Sequence, residues 1–389
     1  DRDGFRQDTL NTSVRYALPR GWQLDAALMY ADGVNRFDDG AGVNTRSAVR
    51  SVTPQAGLQG RITLGWTTEL RVSRNEDVNH PIASSYGSDP VTTRQTHWNW
   101  QNTVDSPWGV VLAGLERRDQ DVVSTTNYAV KERRVDSAFV GINGQSGPSS
   151  WQFNARRDVN SQFGDSNTAL AGYALRLSPQ WRVSGSWGTT FVAPSFNDLY
   201  YPGYDNPSLR PEHGVSRELA VAWSQGATQA KLVRFDNRIR DMIVSSAPSY
   251  RPQNVGRARL QGWSLTGQSR VGALALRGSL DALDPRNEVD DKLLVRRARQ
   301  QASLAADWQQ AQWTWGASVL HVGSRYDNAT NTRQLGAFTT LDLRAQWQFS
   351  RDASLQLKVN NVGDVRYETA YGYNQPGRAA YLTLRWEPR

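Results

Sequence analysis

The sequence contains no cysteine, and it has only two methionines and four histidines. The absence of cysteine excludes thiol catalysis, cysteine-ligated zinc and disulfide bonds, although it does not identify a compartment. Mean hydropathy is −0.62, and no apolar run approaches the ~18 residues that a membrane helix needs. A helical membrane protein is therefore excluded. A transmembrane β-barrel is not excluded, because its polar lumen-facing residues offset its apolar lipid-facing residues in the mean hydropathy.

Aromatic residues are abundant for so polar a chain, with 15 tryptophans and 14 tyrosines. In a membrane barrel such residues form girdles at the two lipid–water interfaces. A soluble β-rich protein with aromatic cross-strand pairs would have the same composition. Aromatic content alone therefore leaves both alternatives open.

The formal net charge of +8 raises the question of a nucleic-acid partner. Arginine and lysine are nevertheless spread along the chain as single positions of the kind that face a polar lumen, without a basic run or stripe. We interpret the charge as lumen and loop chemistry, and we expect no nucleic-acid partner.

Alternation of apolar and polar residues with period two runs through almost the whole chain. It is clear in residues 341–349, 353–359 and 380–386, where every second residue is apolar or aromatic. Each such segment has about ten residues, which is the length a tilted strand needs to cross a bilayer core. Counting them predicts about 19 strands, the first at 9–18 and the last at 378–386.

The connections between these segments alternate in length, and this pattern distinguishes the candidate folds. Short turns are predicted at 19–21, 105–108, 147–150, 179–180, 225–228 and 350–351, and long loops at 34–48, 74–93, 193–214, 244–256 and 363–377. Outer-membrane barrels have short periplasmic turns and long extracellular loops. A soluble β-propeller, the main alternative, has no reason to keep that alternation. The pattern predicts an all-β fold, a transmembrane antiparallel β-barrel.

An odd strand count is unexpected, because bacterial single-chain barrels have an even number of strands. We expect residues 1–389 to be an N-terminally truncated barrel domain with about 19 of 22 strands. The first strands, a plug domain and an export signal are expected to be absent from this sequence.

Several motifs, spread in order over about half the chain, are similar to those of one family. They are Phe-Val-Ala-Pro-Ser-Phe-Asn-Asp-Leu-Tyr at 191–200, Asn-Pro-Ser-Leu-Arg-Pro-Glu at 206–212, Asn-Val-Gly-Arg-Ala-Arg-Leu-Gln-Gly at 254–262, Asn-Val-Gly-Asp-Val-Arg-Tyr at 361–367 and Tyr-Gly-Tyr-Asn-Gln-Pro-Gly-Arg at 371–378. As a set they resemble the TonB-dependent receptor family of the Gram-negative outer membrane.

Within that family the cobalamin transporters are the most similar. The likeness lies in Asp-Gly-Phe at 3–5, Asp-Leu-Tyr-Tyr at 198–201, Asp-Pro-Arg-Asn at 284–287 and Leu-Val-Arg-Arg-Ala-Arg-Gln-Gln at 294–301. The resemblance implies active import of cobalamin, with the TonB–ExbB–ExbD complex acting through the missing plug. It further implies a monomer surrounded by outer-membrane lipid and lipopolysaccharide.

The same resemblance implies calcium as a cofactor in the extracellular loops. The family's ligand positions fall on Asp1, Asp3, Phe37 and Asp38, and a later acidic ligand is replaced by Asn44. Calcium prefers several carboxylate or carbonyl oxygens from flexible loops. Phe37 stands where the family has tyrosine, so it would contribute its backbone carbonyl. An ordinary solvated, aspartate-rich loop is the alternative.

The resemblance also implies a ligand-contacting arginine at the extracellular mouth, which falls on Arg296. A guanidinium there could donate to an amide or phosphate of a corrinoid. The alternative is a rim arginine paired with Glu288 or Asp290. Thr330 stands in place of the family's ligand-contacting aromatic residue, which predicts a reshaped pocket.

No pattern in the sequence indicates catalysis. The four histidines lack metal-ligand spacing, and no carboxylate pair, nucleophile elbow or phosphate-binding glycine loop is present. We expect Asp342 to pair with its neighbour Arg344 and expect no enzymatic activity. The remaining alternatives are a ferric siderophore receptor, which shares the general motifs, and a passive porin, which would conduct steadily in a planar bilayer.

Overall fold

The computed structural model describes residues 4–38, 44–84, 87–245 and 249–387. Within these ranges no helix is long and apolar enough to cross a membrane. Nineteen strands of the described residues form one antiparallel sheet. Its contacts divide it into a first unit, Asp1–Ser146 with Ser150–Ala171 and Phe191–Pro211, and a second unit, Gly147–Ser149 with Gly172–Thr190 and Glu212–Arg389.

The first unit consists of long strands joined as consecutive hairpins. They are β1 Phe5–Ala17, β2 Gln23–Asp38, β3 Asn44–Thr63, β4 Trp66–Ile82, β5 Val91–Ser106, β6 Gly109–Ser124, β7 Glu132–Ser146, β8 Ser149–Asn160 and the greater part of β9 Gly164–Arg176. From β1 to β7 each strand pairs antiparallel with the next. A one-turn helix, α1 Phe196–Tyr200, also belongs to this unit.

The second unit has ten strands of eight or more residues, and its loops contain four strands of only two or three residues. They are β10 Trp181–Val192, β11 Glu212–Gln225, β12 Thr228–Val244, β13 Gln253–Val271, β14 Leu274–Asn287, β15 Gln300–Gln310, β16 Trp313–Val322, β17 Arg325–Tyr326, β18 Gln334–Leu335, β19 Phe338–Gln348, β20 Ala353–Asn360, β21 Glu368–Ala370, β22 Tyr373–Asn374 and β23 Ala379–Trp386. The ladder from β11 to β16 continues through β19 and β20 to β23.

Each unit has one apolar and one polar sheet face, because successive side chains of a strand point to opposite faces. In the first unit Leu70, Trp100 and Leu115 lie opposite one another in register and are exposed. In the second unit Leu232, Leu265 and Leu280 form an equivalent exposed row. An apolar face left uncovered by protein needs another apolar environment.

The polar face carries ion pairs, and one of them differs from the prediction. Arg344 pairs with Asp307 at 2.6 Å and not with Asp342, whose carboxylate accepts from the backbone N–H of Asn361 at 2.8 Å. Gly316 lies in register between Asp307 and Arg344. A β-carbon at Gly316 would collide with both side chains, so the glycine leaves the space in which they meet.

The six predicted short turns are confirmed, since at each of them one strand ends and the next begins within a few residues. Gly109 starts β6 after one such turn with φ of +128°, and a β-carbon there would collide with the carbonyl of Asn143.

The predicted loops 34–48 and 74–93 are much shorter than expected. β2 continues to Asp38 and β3 begins at Asn44, and β4 continues to Ile82. The prediction assigned these residues to loops, whereas backbone pairing continues into them.

Candidate ligand-binding site

At the long-loop end of the first unit, α1 is fixed by its own sequence. The Ser195 side chain accepts from the backbone N–H of Asp198, and the Asp198 carboxylate accepts from the backbone N–H of Ser195. This reciprocal capping box satisfies backbone donors that a one-turn helix would otherwise leave free. Leu199 on the helix and Pro194 before it are fully buried. The segment is therefore a packed element of the loop.

Arg133, near the start of β7, is buried against this segment. Its guanidinium lies over the rings of Phe163 and Phe196, at 5.3 Å and 4.7 Å from their centroids. It donates to the carbonyl of Pro194 at 2.9 Å and to the side chain of Gln162 at 2.9 Å. A buried cation is tolerated only where its donors are satisfied, so Arg133 couples the start of β7 to α1.

Tyr128, in the β6–β7 connection, forms a second contact with the same helix. It is 2% exposed, and its hydroxyl donates to Asn197 at 2.7 Å. Its ring contacts Tyr201 edge-on at 6.1 Å. Burial, with a smaller contribution from the neighbouring Tyr201, raises the pKa of Tyr128 to about 12.

We expect Tyr128 to stay protonated in the folded protein at pH values that ionise an exposed tyrosine. Because its folded pKa lies above the ordinary value of 10.0, its stabilising effect is complete below pH 10 and is lost as the pH rises toward 12. Tyr128→Phe should cost about 1 kcal/mol at neutral pH. The tyrosinate absorbance of the unmodified protein and that of the Tyr128→Phe variant should differ only above about pH 11, where Tyr128 begins to ionise. A difference that appears near pH 10 would contradict the burial argument.

In the long-loop region of the second unit, Arg296 is held by a residue from the next long loop. Its backbone N–H donates to the carbonyl of Tyr326 at 2.6 Å, and its Nε donates to Asp327 at 2.6 Å. The Asp327 side chain is 2% exposed and that of Arg296 is 47% exposed. The ion pair is thus with Asp327 rather than with Glu288 or Asp290. Nε is anchored, and the terminal guanidinium nitrogens are left at the exposed end.

Asparagine side chains fix the loop that carries Asp327. Asn328 donates to Thr330 and Thr332, both at 2.7 Å, and accepts from the backbone N–H of Arg333 at 2.9 Å. Asn331 exchanges two hydrogen bonds with the backbone of Leu293, at 2.8 Å and 2.9 Å. Thr330, expected at the pocket, is thus part of this network, which joins the β14–β15 and β16–β19 connections.

Arg325 joins a third connection to these two. It is 5% exposed, lies over the ring of Phe338 at 5.5 Å, and donates to the carbonyl of Glu368 at 2.6 Å. Phe338 stacks on Tyr367 at 4.1 Å. Burial lowers the pKa of Arg325, although the nearby carboxylate of Asp327 opposes this. Three loops of the second unit therefore form one ordered surface around Arg296.

The residues expected to bind calcium are only partly described. Asp1 and Asp3 lie outside the described residues, as does the side chain of Asp38. Phe37 is in β2 and exposed, opposite Thr45. The carbonyl of Gly4, the residue bonded to Asp3, accepts from the backbone N–H of Arg36 at 2.9 Å. The described backbone therefore brings the start of the chain beside the Phe37 end of β2.

Comparison with known proteins identifies the family of the chain. Residues 1–362 match the family described as "TonB dependent receptor-like, beta-barrel". The chain belongs to this family. It is therefore a β-barrel protein of the Gram-negative outer membrane. The apolar face of each unit contacts lipid, and the long-loop end is extracellular.

Two curated relatives of this receptor barrel carry the same name. The chain is 29% identical over 396 residues to "Vitamin B12 transporter BtuB" of Photobacterium profundum, covering 100% of the chain. It is 27% identical over 412 residues to the protein of that name from Vibrio vulnificus, covering 99% of the chain. The chain spans 65% of the length of each relative.

Solved structures agree on the fold of the receptor barrel. The ferric enterobactin receptor PfeA of Pseudomonas aeruginosa superimposes with a TM-score of 0.82, covering 99% of this chain and 70% of that one. At 16% identity this likeness concerns the fold alone.

Several residues that organise the loops of the receptor barrel were not predicted from the sequence. The Ser195 to Asp198 capping box is a local signal that could have indicated α1. Arg133, Tyr128 and Asp327 carry no such local signal, because their partners are 29 or more residues away.

Proposed function

We propose that the complete protein imports cobalamin across the outer membrane by TonB-dependent active transport. The observation that carries this proposal is the pair of curated relatives named vitamin B12 transporter, which align with essentially the whole chain. The chain supplies the barrel and its extracellular loops. The plug, and through it the TonB–ExbB–ExbD complex, would act through the part of the protein that this sequence does not include. No chemistry on the substrate is required.

Arg296 is the residue that we assign to ligand binding in the described loops. Asp327 fixes its Nε, so its terminal nitrogens keep a defined direction at the exposed surface. A fixed guanidinium can donate two parallel hydrogen bonds to an amide carbonyl or a phosphate oxygen. Corrinoids carry both groups on their periphery. The ordered loops around Arg296 reduce the entropy that binding has to overcome.

Calcium is the cofactor that we propose for the loop of the first unit. Asp1, Asp3 and Asp38 would supply carboxylate oxygens and Phe37 a carbonyl oxygen, which is the donor chemistry that calcium prefers. The hydrogen bond between Gly4 and Arg36 supports this, because it brings the chain start beside Phe37. Calcium bound there would order the hairpin between β2 and β3.

Removal of calcium is expected to weaken cobalamin binding by the complete protein. EDTA should lower the affinity at least about tenfold, roughly 1.4 kcal/mol, because the ordering free energy that calcium supplies would then have to come from cobalamin binding. Calorimetry in calcium and in EDTA measures this change. The double variant Asp1→Asn with Asp3→Asn should bind weakly in both buffers. Identical cobalamin affinities of the unmodified protein in the two buffers would contradict the proposal that calcium is a cofactor.

Uptake by cells tests the transport proposal. The complete protein is expressed in a bacterium that lacks its own cobalamin transporter, and uptake of labelled cyanocobalamin is measured. Uptake should appear with the protein and disappear when TonB is deleted. Binding at the cell surface without TonB-dependent uptake would contradict active transport.

A ferric siderophore receptor is the second candidate. It is favoured by the likeness in fold to the ferric enterobactin receptor, although that likeness is at 16% identity. Uptake of iron from ferric enterobactin, with no uptake of cyanocobalamin, would select it.

A further inference from the structure

The short-turn end of the second unit contains a cavity with a charged lining. Its volume is ≈ 380 Å³, and its charged side chains are Arg270, Arg277, Asp307 and Arg344. Arg277 lies three residues from the start of β14, and Asp307 lies three residues from the end of β15. Pockets that bind small molecules have volumes of about 300–1,000 Å³, so the cavity has the size of a ligand site.

The strand register places the charged lining on the polar face of the sheet. Leu280 and Leu304 are exposed on the apolar face of β14 and β15. Successive side chains point to opposite faces, so Arg277 and Asp307, each three residues away from one of these leucines, lie on the other face. In an outer-membrane barrel the polar face lines the lumen and the short turns are periplasmic. The cavity therefore lies at the periplasmic end of the lumen wall.

Small residues separate the charged ones along one row of this face. The register partners on five adjacent strands are Arg270, Ala275, Asp307, Gly316 and Arg344. Charged residues on alternate strands stand about 10 Å apart at their backbones. A β-carbon at Gly316 would collide with the side chains of its two neighbours, so the glycine lets them meet. The methyl group of Ala275 likewise leaves space beside Arg270.

One carboxylate faces three guanidinium groups in the cavity. Asp307 pairs with Arg277 at 3.0 Å and with Arg344 at 2.6 Å. Arg270 is exposed and forms no ion pair with any residue in the described ranges. Lys358 lies opposite Arg344 on β20 and adds a further cation beside the cavity. Asp307 thus balances one of the three arginines, and the cavity stays positively charged.

Two of these arginines have donors to offer to a ligand. Asp307 receives one terminal nitrogen of Arg277, whose side chain remains 65% exposed. Arg270 stands on the other side of the β13–β14 turn and also lines the cavity. Two guanidinium groups that converge on one space can hold an oxyanion with charge-assisted hydrogen bonds.

We propose that this cavity is an exit site, which receives the phosphate of the corrinoid on its way into the periplasm. The inference rests on the proposed import of cobalamin. Arg270 and Arg277 would donate to the phosphate oxygens, while Asp307 holds Arg277 and Arg344 in place. Cations that line one end of a passage raise the local concentration of an anionic group there. The site would act when the plug moves, after the ligand has left the extracellular loops.

A carboxylate of the plug is the other oxyanion that would suit these arginines. The rest of the lining favours the corrinoid, because it includes the amides of Gln268 and Gln309 and the hydroxyl of Thr314. Such groups pair with the sugar hydroxyls and amides that surround the corrinoid phosphate. A single carboxylate would leave most of the ≈ 380 Å³ unused.

Uptake of two corrinoids distinguishes these occupants. The complete protein is expressed in a bacterium that lacks its own cobalamin transporter, and cyanocobalamin is compared with dicyanocobinamide, which lacks the phosphate and its nucleotide. Arg270→Gln with Arg277→Gln should slow TonB-dependent uptake of cyanocobalamin about tenfold and leave uptake of dicyanocobinamide unchanged. Calorimetry should give this variant the cyanocobalamin affinity of the unmodified protein, which also shows that the barrel is folded.

Arg15→Gln with Arg118→Gln is the matched control. These arginines lie on the polar face of the first unit, opposite Asp25 and His97, and form no ion pair in the described part of the chain. Their loss should leave both uptake rates unchanged.

Three results would overturn the exit site. They are equal slowing of both corrinoids by the cavity variant, which would assign the arginines to the plug or the barrel, an unchanged rate for cyanocobalamin, and the same selective loss in the control variant. Failure of the cobalamin import proposal is recognised separately, because the unmodified protein would then take up neither corrinoid.

Discussion

Arg133→Ala is expected to release the segment around α1, with a loss of about 3 kcal/mol in its local stability. The substitution removes the guanidinium from between Phe163 and Phe196. It also leaves the carbonyl of Pro194 without this buried donor. Amide hydrogen exchange measures the effect directly, since about 3 kcal/mol corresponds to roughly 100-fold faster exchange. The change should be confined to residues 193–211 and to the adjoining end of β7.

Arg134→Ala is the matched control for this experiment. Arg134 is the next residue of β7, but its side chain is 54% exposed on the opposite face, where it pairs with Asp119 at 2.9 Å. Exposed ion pairs contribute about 0–1 kcal/mol, so exchange around α1 should hardly change. Equal effects of the two substitutions, or none from Arg133→Ala, would show that Arg133 does not hold the loop.

Arg296→Gln is expected to weaken cobalamin binding by the complete protein about 10- to 100-fold, roughly 1.4–2.8 kcal/mol. The shorter amide keeps a donor for Asp327 but removes the terminal guanidinium nitrogens and their charge. Titration calorimetry measures the change. Arg299→Gln is the control, because Arg299 is an exposed arginine only three residues away, 4.0 Å from Asp284. It should change the affinity less than about threefold.

Asp327 tests whether Arg296 acts through its fixed position. Asp327→Asn should weaken binding in the same direction, because Arg296 loses its charged anchor. Adding Asp327→Asn to Arg296→Gln should then cause little further loss, since coupled residues are not additive. Strictly additive losses would mean that the two residues contribute independently.

Most of the strands and short turns could be predicted from the sequence because their signals are local. Alternation with period two is visible within about ten residues, and turns such as the one before Gly109 carry their own glycine. Strand ends were predicted less well. Residues 34–48 were predicted as a loop, whereas β2 and β3 pair up to Asp38 and Asn44.

The side-chain partners within the loops could not be predicted, because they depend on register and on long-range packing. Arg296 and Asp327 come from different loops. Arg344 reaches Asp307 across Gly316, which only the ladder of β15, β16 and β19 brings between them.

Calorimetry of the complete protein with cyanocobalamin, and separately with ferric enterobactin, tests the central claim most directly. We predict nanomolar affinity for cyanocobalamin, about −12 kcal/mol, and no measurable binding of the siderophore. Binding of ferric enterobactin without binding of cyanocobalamin would leave the barrel and the receptor family unchanged. It would contradict both cobalamin as the transported ligand and the role assigned to Arg296.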